Sequence, residues 1–208
     1  MAKHGFEVVK RNARWQFEKK ITPEQTVILD FHAPSPEQPR SDLRVENRRV
    51  KPARSLGDAG IHGRENPEAN AAALHPFAFT YNSVDLLIPH PVAFAIMKLI
   101  AMNDRWQAAA TGDSAEARNM EARQARKHAE DLMRIIAMTT RAESDLADTL
   151  LGRLRGTPSF RTAADVFANS FMAENGWAAP VVSRGWRDDD FAVMQTTLAR
   201  WFGDRGDR

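Results

Sequence analysis

At Pro89 the hydrophobic period of the chain changes, and no other feature restricts the fold as much. Before it, FAFTYNSVDLLI (residues 77–88) alternates and breaks at Asn82-Ser83, the pattern of a hairpin. After it, HPVAFAIMKLIAMNDR (90–105) opens a run of helical patterning that lasts to the end of the chain. Helices are expected at about 91–110, 114–139, 142–154, 162–175 and 189–202. Thr162 and Asp165 have the spacing of a capping box, and Asp188-Asp189-Asp190 puts negative charge at the positive end of the last helix. In that helix Phe191, Met194, Leu198 and Trp201 form an apolar stripe suited to core packing.

Upstream, 6–10, 14–20 and 26–32 read as three strands joined by short breaks, which favour an antiparallel meander. Val27-Ile28-Leu29 is apolar on both faces, so the third strand is expected to be the most buried, with Asp30 at its end. Residues 33–75 show no clear period. They hold four prolines between Pro34 and Pro52 and six basic residues between Arg40 and Arg54, and read as a long solvated loop, a lid or a polyphosphate-facing segment. The fold class expected is therefore α+β: a small, mostly antiparallel sheet built from 5–32 and 77–88, followed by a C-terminal helical bundle. The division falls at 1–88, a sheet region containing loop 33–75, and 89–208, a helical region.

Composition excludes some chemistry. The 208 residues contain no cysteine, so disulfides and thiolate metal sites are ruled out, in keeping with a cytoplasmic setting. A formal net charge of +2 neither demands nor excludes nucleic acid. No apolar run is long enough to span a membrane, and MAKHGFEVVKRN lacks the apolar core of a signal peptide. His32, His62, His75, His90 and His128 are scattered without metal-ligand spacing, and GDAGIHG (57–63) has neither a Walker lysine nor dinucleotide-binding spacing. Arg118, Arg123, Arg126, Lys127 and Arg134 are interrupted by Glu116, Glu121 and Glu130, the pattern of a solvated face more than a nucleic-acid contact.

Lys98 stands out. It is the only charged residue between Pro91 and Asn103, and an ammonium in an apolar helix needs an anion or a route to water. Asp131, four residues after Lys127 in RKHAEDLMRIIAM, sits beside an apolar stripe on the next long helix. If the two helices pair antiparallel, a Lys98–Asp131 contact balances the charge and sets their register.

The order of a strand-ending aspartate in TVILDF, then LLIPHPVAFAIMKLIAMNDR, then RKHAEDLMRI resembles the nucleotidyltransferase-fold proteins of the AbiEii toxin type over roughly residues 5–137. The resemblance implies a transferase that moves a nucleoside monophosphate from an NTP to an RNA or protein acceptor, with Mg²⁺ and NTP as cofactors. It assigns Asp30, Lys98 and Asp131 to catalysis, Asp30 also to the metal, and Lys98 and Arg105 to the nucleotide. The chain departs from the family in one place: it has no Gly-Ser or Gly-Gly turn with an Asp-x-Asp pair ahead of Asp30. Two-metal phosphoryl transfer needs several carboxylates, so the expectation is a truncated, inactive form. The alternative is a non-catalytic module that binds a nucleotide, RNA or a protein partner and keeps Lys98–Asp131 as a structural pair.

Overall fold

The computed structural model describes residues 2–9, 15–33, 43–46, 49–52 and 61–203. It has the expected α+β order of small sheets followed by helices. The chain divides into two compact units, Met1–Asn70 and Ala71–Arg208. The hairpin that ends at Ile88 therefore belongs with the helices, whereas the change from strands to helices falls after it.

In the first unit β1 (Glu7–Val8), β2 (Gln16–Lys20) and β3 (Thr26–Asp30) form the expected antiparallel meander, in that order. The Thr22 hydroxyl turns the chain between β2 and β3 by accepting the Gln25 N–H at 3.1 Å and the Glu24 N–H at 3.3 Å. The burial is the reverse of the expected one. Phe17 of β2 is 4% exposed and meets Phe31 edge to face, whereas Val27 and Ile28 of β3 are 41% and 56% exposed. Among the described residues β3 pairs with β2 alone, and its side chains at Val27 and Ile28 are left open on both faces of the strand.

The stretch 33–75 is also more regular than its composition suggests. β4 (His32–Ala33), β5 (Leu43–Glu46), β6 (Arg49–Pro52) and β7 (Gly63–Glu65) make a second sheet in the order β4-β7-β6-β5. The β4–β7 pair is parallel and the others antiparallel. Four-residue strands are too short to show a period against prolines and arginines, and pairing supplies the order that patterning lacks. The rest of the proline-rich and arginine-rich stretch, and most of GDAGIHG, lie outside the described residues.

The strands of the second unit are β8 (Phe77–Tyr81) and β9 (Val84–Ile88), which among the described residues pair only with each other. A single sheet uniting them with residues 5–32 is thus not formed. Asn82 and Ser83 both adopt positive φ, 49° and 62°, as a two-residue hairpin turn with right-handed twist requires. Then come α1 (Pro91–Thr111), α2 (Ala115–Ala137), α3 (Arg141–Leu154), α4 (Pro158–Phe167), a π-helical turn (Ala168–Met172), α5 (Ala178–Val182) and α6 (Asp188–Phe202). Thr162 lies inside α4. The cap is Thr157, which accepts the Phe160 N–H, with Pro158 at the first helical position.

The core of this unit is the meeting of apolar stripes. Val92, Ile96 and Leu99 of α1 and Ala129, Leu132 and Met133 of α2 are fully buried, as are Leu198 and Trp201 of α6. Each such aliphatic side chain contributes about 1.5–3 kcal/mol by leaving water. No helix among the described residues is long and apolar enough to cross a membrane.

Candidate functional site

α1 starts where His90 caps it. The His90 Nδ1 accepts the Val92 N–H at 3.1 Å, and its Nε2 donates to the Glu143 carbonyl at 2.9 Å. The ring is fully buried and stacks on Phe77 with centroids 5.7 Å apart. Burial lowers its pKa, against the opposing pull of the Glu143 carbonyl. His90 thus ties the start of α1 to the capping box of α3, where Thr140 and Glu143 satisfy each other. Single-letter spacing concealed this role, because a cap and a carbonyl bond leave no motif.

Two contacts set the register of α1 on α2. Lys98 pairs with Asp131 and, seven residues further along α1, Arg105 pairs with Glu121, ten residues earlier on α2. The helices are therefore antiparallel, as expected. The Lys98 Nζ donates to Asp131 Oδ2 at 2.9 Å, with side chains 25% and 21% exposed, so the ammonium is partly sheltered and has its anion.

Asp131 has more partners than Lys98. Lys127 donates to the same Oδ2 at 3.0 Å and Arg134 to Oδ1 at 3.0 Å. Arg134 also reaches Glu130 at 3.2 Å. One carboxylate thus collects three cations from two helices. Burial alone would raise the Asp131 pKa, but the Lys98 and Lys127 hydrogen bonds outweigh it and lower the value to about 2. The carboxylate is ionised through the physiological range, and the ammonium ions are pinned in a cluster of excess positive charge.

His128 belongs to the same cluster. Its Nδ1 is inaccessible and without a hydrogen-bond partner. Burial first, then the charges of Lys98 and Lys127, depress its pKa to about 4. A neutral imidazole therefore adds no further charge beside the two lysines at pH 7. Its neighbours across the helix interface are what make it notable, and those are invisible in a survey of histidine spacing.

Arg105 is engaged: its NH1 contacts both Glu121 carboxylate oxygens, at 2.9 and 3.2 Å. Asp30 lies in the other unit, at the end of β3, where it faces Gln16 in register and accepts its Nε2–H at 2.6 Å. Lys98, Arg105 and Asp131 are thus brought together by the α1–α2 pair, whereas Asp30 is placed by a separate sheet. Among the described residues no group of three or more His, Asp or Glu side chains is placed to hold a metal ion. In comparisons with known proteins, no family model, no curated sequence and no solved structure matches the chain.

Proposed function

We propose that this is a nucleotidyltransferase-like protein that binds nucleotide phosphate at the α1–α2 cluster without transferring the nucleotide. The observation that carries the reading is the convergence of Lys98, Lys127 and Arg134 on the single carboxylate of Asp131. With Glu130 also paired to Arg134, the three cations still leave one positive charge that a phosphate group can neutralise, and the carboxylate of Asp131 holds the ammonium of Lys98 in place before the ligand arrives. Arg105, two helical turns along the same side of α1, would extend the contact along a triphosphate once released from Glu121. In a complete family member the activity is transfer of a nucleoside monophosphate from Mg²⁺-bound NTP to an RNA or protein acceptor. That chemistry needs several carboxylates to hold its metals, and among the described residues no group of three or more His, Asp or Glu side chains is placed to do so.

The test is a thermal melt of the full chain with each magnesium–NTP, beside a labelled-NTP transfer assay. At ten times its dissociation constant a ligand adds about 1.4 kcal/mol of stability. The melting temperature of the wild type should rise, that of Lys98→Met should not, and no label should move. Label transfer lost in Asp30→Ala would make the protein an active enzyme. No shift with any NTP would leave Lys98–Asp131 as a structural pair.

A further inference from the structure

A cleft of about 510 Å³ opens between α1, α4 and the π-helical turn, lined entirely by the second unit. Trp106 and Trp177 lie in its wall, stacked with ring centroids 4.1 Å apart and planes 9° from parallel. Both indoles are only partly buried. Around them Asn103, Gln107, Asp165 and Asn169 present three carboxamides and one carboxylate to the cleft. None of these four side chains hydrogen-bonds to another described residue. Their donors and acceptors are left for water or a ligand.

The wall is also specifically built. A π-helical turn is rare and places Asn169 at the rim by widening the helix for one turn. The chain then folds back tightly at Gly176, where a Cβ would come within 2.6 Å of the Ser170 carbonyl oxygen, and delivers Trp177 onto Trp106. Only glycine permits that approach.

We propose that this cleft binds an adenine-type nucleoside. A volume of this size falls in the range of small-molecule sites. The two indoles occupy each other's inner faces, so a planar ring can stack only on an outer face of the pair, and the closed stack leaves no cage for an ammonium group. Carboxamides pair in two-point fashion with the amine and ring nitrogen on one edge of adenine. Asp165, the only ionisable residue of the lining, accepts from an exocyclic amine or ribose hydroxyl and disfavours phosphate. The cleft shares α1 with the Lys98–Asp131 cluster but none of its residues, and does not rest on the phosphate-binding reading.

Tryptophan fluorescence of the full chain, titrated with adenosine, tests the assignment. Saturable quenching is expected. Inosine, which has a carbonyl in place of the amine, should bind up to about tenfold more weakly, the most that one neutral hydrogen bond contributes. Gln107→Leu and Asn169→Leu, both at exposed positions, should each weaken adenosine about tenfold while leaving the melting temperature unchanged. Lys98→Met should bind adenosine like the wild type, so failure of the phosphate site and failure of this one are separable. No saturable response to adenosine at millimolar concentration overturns the proposal. So does binding that ignores both leucine variants, tetramethylammonium that competes as well as adenosine, or, in Lys98→Met, ATP or oligoadenylate that binds more tightly than the nucleoside.

Discussion

Replacing Lys98 with methionine and Asp131 with asparagine should not cost the same. Pairs in water are worth about 0–1 kcal/mol, and stripping one partner from a fully buried pair costs about 3–5 kcal/mol. With side chains 25% and 21% exposed, this pair falls between those limits. When Lys98 is lost, Asp131 keeps Lys127 and Arg134, so its charge is still compensated. Methionine also refills the space of the lysine stem among the apolar residues of α1. Lys98→Met should therefore cost only about 0.5–1.5 kcal/mol. Asp131→Asn removes the anion from all three cations. Lys127 and Arg134, 61% and 56% exposed, can turn to water, but Lys98 cannot do so freely. That substitution should cost about 1.5–3 kcal/mol, the range for hydrogen bonds to charged groups. Urea unfolding of wild type, the two single variants and the double variant, followed by circular dichroism at 222 nm, measures the cycle. The double variant should recover about 1 kcal/mol relative to the sum. Equal single costs, or strict additivity, would refute the claim that Asp131 is shared and Lys98 depends on it.

The pH dependence follows from His128, whose folded pKa of about 4 lies below the ordinary 6.5. The unfolded chain binds the proton more readily between those values, so the contribution of His128 is complete above pH 6.5 and is lost as pH falls towards 4. Each pKa unit is about 1.4 kcal/mol; discounted for the partial exposure of the ring, the loss should be roughly 1–2 kcal/mol. Urea midpoints measured between pH 7 and 4 should fall less in His128→Leu than in wild type. Asp131, with a folded pKa of about 2 against 3.8, adds little to that decline, because most of its own loss falls below about pH 4. His90→Ala should cost about 1–2 kcal/mol, through the lost cap of α1 and the unpaired Glu143 carbonyl. It should also speed amide exchange in the first turns of α1 and α3 together, and exchange confined to α1 would show that the bridge to α3 carries no weight.

What the chain determined locally was the change from strands to helices at Pro89, the hairpin turn at Asn82-Ser83, the stripe of α6 and the pairing of Lys98 with Asp131. Each of these rests on a short-range rule: a period, a positive φ at two adjacent residues, or an isolated ammonium that must find the nearest sheltered carboxylate. Tertiary structure decided the rest. Ile28 is apolar and yet 56% exposed, because burial depends on what packs over the face of a sheet, which the strand's own residues do not determine. Thr162 carries the spacing of a cap and lies mid-helix, because Thr157 and Pro158 start the helix one turn earlier. Residues 43–46, 49–52 and 63–65 pair into a sheet whose strands are too short to announce themselves. The convergence of Lys127 and Arg134 on Asp131, the depressed His128 and the stacking of Trp106 on Trp177 bring together residues that no spacing relates. Charge density, desolvation and a shared cleft are properties of surfaces in contact, and they exist only once α1, α2 and α4 have packed.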